Sequence, residues 1–151
     1  MKILVIGSGL MGPAAAYNAL LDKDVKRVTL ADANGRALEE AQARLNRLHP
    51  SDKLHTAVLD LADHDAAVAL IAAHDAVVAA LPSAVIPLGV RAAAAARKPW
   101  VDLTWPANEE LPALQHLVDE AGILVVPGCG VEPGLTEIMA RWAAEKLDSV
   151  D

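Results

Sequence analysis

Short apolar runs alternate with longer helix-favouring segments along the whole chain. Runs of this length suit buried strands, and the segments between them are rich in Ala, Leu, Glu and Arg, which favour helix. The predicted strands are residues 2–7, 27–32, 54–60, 75–80, 100–103 and 123–127. Because strands that alternate with helices through short connections form parallel sheets with right-handed crossovers, the sequence predicts an α/β Rossmann fold, a doubly wound parallel sheet of six strands with helices on both faces.

The predicted helices lie between these strands, and one follows the last of them. They are residues 10–21, 35–46, 63–73, 86–97, 109–121 and 135–146. A chain of 151 residues is long enough for one domain with a buried core, and no linker or charge block divides it. We therefore predict a single Rossmann domain over residues 1–134.

Charge and cysteine content exclude several classes of function. The formal net charge is -7 and the Lys and Arg residues are scattered, which argues against a nucleic-acid surface. No apolar run reaches the ~20 residues that span a bilayer, so no membrane partner is expected. The single cysteine, Cys129, allows no internal disulfide, and the five histidines are dispersed, so we expect no metal site. The amino terminus enters a strand directly, which indicates a cytoplasmic protein rather than a secreted one.

Three glycines with the spacing G-x-G-x-x-G end the first strand and open the first helix. Gly7 allows a tight turn, Gly9 leaves room for a pyrophosphate, and Gly12 lets the helix pack closely on the strand. The helix start at Leu10 and Met11 would then present free N–H groups and a positive dipole end to an anion. The motif predicts a dinucleotide site, and the alternative is that the glycines serve only a tight strand–helix turn.

Asp32 lies twenty residues after Gly12, at the end of the second predicted strand. A carboxylate at this position binds the adenosine ribose hydroxyls and repels a 2′-phosphate, so it favours NAD over NADP. Arg36 leaves NADP possible, because an arginine nearby can accommodate that phosphate, although the position also suits a solvated helix residue. Ala33 and Asn34 are assigned to cofactor binding together with Asp32.

Two more strand ends belong to the same edge of the predicted sheet, where ligands of this fold bind. Asp60 follows the third strand and could reach the adenine edge or cap a turn, and Leu61 is assigned with it. Ala80, Leu81 and Pro82 end the fourth strand. They are expected to line the cofactor's ribose and nicotinamide end, or simply to terminate the strand.

Five segments of the chain resemble the saccharopine dehydrogenase family. They are VIGSGLMGPAAA, LADAN, LPSA, KPWVDLTW and VVPGCGVEPGLTEIMA. The glycine motif is generic, whereas VDLT and G-x-x-P-G-L-T are more specific. The resemblance runs from Met1 to about Trp142 and is strongest to shorter members that resemble L-lysine dehydrogenase. It implies NAD(P)-linked oxidation at an amino-bearing carbon of lysine, saccharopine or a related amine.

The resemblance also implies a second domain. It places the exit from the Rossmann domain at residues 128–134 and makes residues 135–151 the first element toward a missing domain. That domain would supply most of the pocket for an amino acid or amine substrate and the contacts of a homo-oligomer. The present chain alone would then be catalytically incomplete, with four apolar positions of the last helix uncovered: Leu135, Ile138, Met139 and Trp142.

Asp102, at the end of the fifth predicted strand, is the candidate catalytic residue. It could orient a substrate amine or a cofactor ribose, or it could cap the turn at Thr104 and Trp105. Glu132 could face an amino group, and no general base is assigned.

A second hypothesis from another class is a non-catalytic NAD(H)-sensing regulatory module, which would share the glycine motif and the acidic end of the second strand. The segment GCGVEPGLTEIMA favours the dehydrogenase, because a sensor has no evident need for it.

Overall fold

A computed structural model describes residues 1–147 of the chain. The strands are β1 (Lys2–Ile6), β2 (Arg27–Asp32), β3 (Leu54–Val58), β4 (Ala76–Ala79), β5 (Trp100–Asp102) and β6 (Val125–Val126). All are parallel and form one sheet in the order β3-β2-β1-β4-β5-β6. The order reverses between β1 and β4, as in doubly wound dinucleotide-binding folds, so the predicted fold class is confirmed.

Six α-helices accompany the sheet within residues 1–147. They are α1 (Met11–Leu21), α2 (Gly35–Leu48), α3 (His64–Ala72), α4 (Ile86–Ala96), α5 (Leu111–Ala121) and α6 (Leu135–Ala144), with a short 3-10 turn at Ser83–Val85. The side chains of Asn34 and Asp63 cap α2 and α3 by accepting hydrogen bonds from backbone amides three residues on. No helix within residues 1–147 is both long and apolar enough to cross a membrane.

The core has two halves, one on each face of the sheet. Side chains alternate along β1, so Leu4 and Ile6 pack on the face that carries α3 and α4. Ile3 and Val5 pack on the opposite face, with α1 and α2. This two-sided burial explains why the strands are continuously apolar rather than alternating, and it confirms helices on both faces.

β6 is shorter than the sequence predicts. The apolar run at 123–127 suggests a five-residue strand, but only Val125 and Val126 pair, with Trp100 and Val101 of β5. β5 is itself only three residues long, so β6 has few strand residues to pair with. Both residues of β6 are half-buried.

A buried histidine connects α3 to β2. His74 is 4% exposed, with Nδ1 2.8 Å from the Leu70 carbonyl oxygen and Nε2 2.8 Å from the Thr29 hydroxyl. The neutral ring therefore donates from Nδ1 and accepts from Thr29. Burial lowers the pKa of His74, the cations of Arg27 and Lys2 lower it further, and the Leu70 carbonyl and Asp75 oppose the decrease.

We expect the free energy of unfolding to decrease as the pH falls below about 6.5, because the unfolded histidine then gains a proton that the folded one resists. One such group changes stability by at most about 1.4 kcal/mol per pH unit. Urea unfolding from pH 8 to pH 5 should show this decrease in the native chain, and His74→Gln should flatten it. Equal pH slopes in the two chains would contradict the assignment.

Candidate functional site

The glycine loop connects β1 to α1 at the point where the strand order reverses. Gly7 has a φ of 106°, a conformation that side chains rarely adopt, and a Cβ there would collide with the Ala80 carbonyl. A Cβ on Gly12 would collide with the carbonyl oxygen of Gly7. Gly7 and Gly12 are thus required by close backbone packing between β1, α1 and the end of β4.

Gly9 differs from both, because a Cβ built on it meets nothing within 4 Å. The following residues also face open space, with Leu10 85% exposed and Met11 54% exposed. No side chain caps the first turn of α1, and that turn contains no acidic residue. Its amides are therefore free to bind an anion, and Gly9 leaves the approach open.

Asp32, at the end of β2, is hydrogen-bonded to the glycine loop. Its Oδ2 accepts from the amide of Ser8 at 2.6 Å and from the Ser8 hydroxyl at 2.8 Å. Its Oδ1 accepts from the amide of Asn34 at 2.8 Å. Burial raises the pKa of Asp32, but the hydrogen bonds from Asn34, Ser8 and Ala33 outweigh it and hold the pKa below its ordinary value. The carboxylate is therefore charged at neutral pH.

Ser8 is a site residue that the sequence reasoning missed. Its side chain is buried between two glycines and connects the loop to the carboxylate that follows the next strand. A hydroxyl inside the G-x-G, together with an acidic residue at the end of β2, is the signal that could have found it. The contact fixes the loop and the Asp32 carboxylate relative to each other.

Three residues that follow Asp32 in the chain belong to the predicted cofactor site. Ala33 and Asn34 are exposed, and the Asn34 side chain accepts the amide of Ala37 at 3.2 Å as the cap of α2. Arg36 is also exposed, and within residues 1–147 its one ion pair is with Glu40, at 3.2 Å. An exposed pair of this kind is weak, so the Arg36 guanidinium is available to a ligand.

A cavity of about 260 Å³ lies beside the glycine loop. It is open to solvent, and two arginines and one glutamate of α2 line it together with the glycine loop. Its lining consists of Ser8, Gly9, Ala37, Glu40, Ala41, Arg44 and Arg47.

The two predicted residues after β3 have different surroundings. Asp60 is exposed, and its carboxylate accepts the amide of Ala62 at 2.9 Å, which closes a turn. Leu61 is 7% exposed and belongs to the apolar core. The structure therefore directs the Leu61 side chain into the core, and only its backbone is left for a ligand.

The end of β4 lies beside the glycine loop, as predicted. The amide of Ala80 donates to the Ile6 carbonyl at 2.9 Å, next to Gly7. Leu81 is half-buried and Pro82 is exposed, and the 3-10 turn follows them. In the sheet, β4 and β2 lie on opposite sides of β1, so these residues and Asp32 flank the glycine loop from opposite sides. We call the space above the loop between them the cleft.

Asp102 is buried at the end of β5, with 1% of its surface exposed. Its Oδ2 accepts from the Trp100 indole at 3.0 Å, and its Oδ1 accepts from the amide of Thr104 at 3.1 Å. Burial raises the pKa of Asp102, and the hydrogen bonds from Thr104 and Trp100 oppose that increase. Both carboxylate oxygens thus have partners within the chain.

The loop after β6 comes close to Asp102 through its backbone. The amide of Cys129 donates to the Asp102 carbonyl at 2.7 Å, while the Cys129 side chain is exposed. Glu132 is exposed too. Within residues 1–147, no group of three or more His, Cys, Asp or Glu side chains is arranged to hold a metal ion.

The chain is similar to longer enzymes. It is 28% identical over 152 residues to the alpha-aminoadipic semialdehyde synthase, mitochondrial, of Bos taurus, covering 99% of this chain and 15% of the relative. The apo saccharopine dehydrogenase (L-Glu forming) from Saccharomyces cerevisiae superposes with a TM-score of 0.78 and 25% identity, covering 96% of this chain and 31% of that chain. The chain thus spans less than a third of the length of either relative.

A further solved structure supports the fold alone. The probable dehydrogenase from Thermotoga maritima has a TM-score of 0.68 and 22% identity, over 85% of this chain and 36% of that chain. These matches do not favour the sensing module. The family model described as the saccharopine dehydrogenase NADP binding domain matches residues 3–126, which include the glycine loop, Asp32 and Asp102. The chain therefore belongs to the saccharopine dehydrogenase NADP-binding domain family.

Proposed function

We propose that this chain is the cofactor-binding domain of an NAD(P)-dependent oxidoreductase that acts on the CH–NH or CH–NH2 group of an amino acid. The observation that carries the proposal is the open approach to the uncapped amides of α1 over Gly9. A diphosphate would accept hydrogen bonds from those amides. The similarity to saccharopine dehydrogenase supports the substrate class.

The residues of the site fit a nicotinamide dinucleotide. Gly9 leaves space for the diphosphate, the Asp32 carboxylate is positioned for ribose hydroxyls, and the end of β4 borders the other half of the cleft. The bound cofactor supplies the hydride chemistry. The chain contributes binding and orientation, and we assign Asp102 to holding the end of β5 in place.

The substrate class is tested with the longer gene product. Lysine-dependent or saccharopine-dependent reduction of NAD or NADP would support the proposal. Cofactor binding without turnover of any amine would contradict the assigned reaction.

We propose NAD as the preferred cofactor, although the family's name favours NADP. The Asp32 carboxylate is charged, and a carboxylate oxygen accepts more than one hydrogen bond, so Oδ1 can take a further donor beside the Asn34 amide. That oxygen can accept a ribose hydroxyl and would repel a 2′-phosphate. Arg36 is the residue that would bind such a phosphate, so NADP is expected to bind more weakly rather than not at all.

Removing the charge of Asp32 is expected to lower the ratio of NADH affinity to NADPH affinity by about tenfold. NADH loses a charge-assisted hydrogen bond, and NADPH no longer meets repulsion between the carboxylate and its 2′-phosphate. Asp32→Asn keeps the shape of the side chain, and Arg36→Gln should weaken NADPH alone. Titration by nicotinamide fluorescence measures both affinities. Asp52→Asn, which changes an exposed carboxylate before β3 at the opposite edge of the sheet, serves as the control. A ratio unchanged by Asp32→Asn would refute the assignment.

We propose that residues 1–134 form the Rossmann domain and that the segment from 135 begins a second domain. Four apolar side chains of α6 are exposed: Leu135 at 49%, Ile138 at 66%, Met139 at 59% and Trp142 at 63%. A stripe of this kind is typical of a contact surface. We assign that contact to the remainder of a longer, cytoplasmic, homo-oligomeric protein. Residues 148–151 lie outside the described part of the chain.

A further inference from the structure

The hydrogen-bond ladder between β4 and β5 ends before the residues that border the cleft. Its last backbone bond runs from the amide of Leu103 to the carbonyl of Ala79, at 3.2 Å. Within the described residues, no backbone hydrogen bond joins Leu81 to the end of β5. The Thr104 hydroxyl instead donates to the Leu81 carbonyl at 3.1 Å. The Thr104 side chain thus links the two chain segments just beyond the last backbone hydrogen bond between β4 and β5.

Thr104 is itself held on both sides. Its amide donates to Oδ1 of Asp102 at 3.1 Å, and its carbonyl accepts the amide of Gly128 at 3.1 Å. The Thr104 hydroxyl also lies 3.3 Å from Oδ1 of Asp102. A hydroxyl has one proton, and we assign it to the shorter contact, to Leu81. The other Asp102 oxygen is held by the Trp100 indole at 3.0 Å.

Leu81 lies on the side of the cleft away from Asp32. It follows Ala80, whose amide is bonded to β1 next to the glycine loop. In doubly wound sheets each half of the sheet binds one mononucleotide, across the point where the strand order reverses. Because Asp32 belongs to the adenosine half, the end of β4 belongs to the nicotinamide half.

We propose that Thr104 is a positioning residue for the nicotinamide half of the cofactor. It holds the Leu81 carbonyl and, through it, the adjoining Pro82 in the wall of the cleft, while Asp102 holds Thr104. The inference rests on the proposed function, since it names a determinant of that same site. The adenosine half is held by the glycine loop and Asp32, which Thr104 does not contact, so the two halves should respond differently to its loss.

The test compares NADH with ADP, which carries only the adenosine and diphosphate groups. Thr104→Val keeps the shape of the side chain and removes the hydroxyl. We expect it to weaken NADH binding by about three- to tenfold, the effect of one hydrogen bond, and to change ADP binding by less than about twofold. Thr104→Ser keeps the hydroxyl and is expected to restore NADH affinity. Isothermal titration of the 151-residue chain gives all the affinities.

The outcomes separate the positioning role from the proposed function. Equal losses for NADH and ADP, or no loss for either, would overturn the positioning role. A native chain that binds neither ligand would overturn the proposed function and this inference with it. Thermal unfolding monitors the fold of each variant, and Thr104→Ala removes the same hydroxyl with less bulk if valine disturbs folding.

Discussion

We expect a chain with valine in place of Gly9 to fold normally and to lose its affinity for NADH. A Cβ at this position meets nothing within 4 Å, so the added side chain costs the folded protein little. It would instead occupy the approach to the uncapped amides of α1, where a diphosphate must come into contact. Losing these hydrogen bonds should weaken binding by about a hundredfold, or about 2.7 kcal/mol.

The measurement pairs a titration of NADH with urea unfolding of the same variant. Ala69→Val creates the same side chain at an exposed position of α3, away from the glycine loop, and should change neither quantity appreciably. If the Gly9 variant bound NADH as tightly as the native chain does, the glycine loop would not be a diphosphate site.

The second large effect is expected at Gly12, where alanine should destabilise the fold itself. A Cβ there collides with the carbonyl oxygen of Gly7, a backbone atom held by the sheet. The amide of Gly7 is bonded to the Ala31 carbonyl at 2.8 Å, so the loop cannot move away without breaking the end of the sheet. Overpacking against a fixed backbone costs about 2–4 kcal/mol.

Urea unfolding checks this loss, which should appear as a lower midpoint. Gly35→Ala is the matched control, because its Cβ would lie 3.7 Å from a Val58 methyl group, an ordinary contact. Alanine also favours helix, so Gly35→Ala should be neutral or slightly stabilising. A Gly12→Ala chain that unfolds at the native urea concentration would show that α1 can shift away from β1. Substitutions at Gly9 and Gly12, three residues apart, are thus expected to have different effects, the first on NADH binding and the second on the stability of the fold.

Much of the candidate site could be predicted because it follows from the spacing of residues along the chain. The spacing of Gly7, Gly9 and Gly12 after an apolar run identified the loop, and Asp32 was found from its distance along the chain. The structure brings these residues together at the point where the strand order reverses. Ser8 was missed because its role depends on a partner 24 residues away.

The surroundings of other predicted residues depend on packing that no local pattern reports. Leu61 faces the core because β3 and α3 turn it inward, although it follows a strand end where a ligand contact was expected. The turn contact of Asp102 is present, but the bond from the Thr104 hydroxyl to the Leu81 carbonyl links the segments that follow two separate strands, β5 and β4. β6 is short because its neighbouring strand, β5, has only three residues with which it can pair.

The sequence by itself determined the order of strands and helices, the glycine loop and the family. These follow from hydrophobic period, backbone freedom and motif spacing, which act over neighbouring residues. Only the tertiary structure decided which polar groups are hydrogen-bonded within the chain, and which glycines face a backbone rather than open space. It also decided that a side-chain hydroxyl, in place of a backbone amide, links the chain after β4 to the chain after β5. Those properties arise from distances between segments remote in the chain, and packing sets such distances.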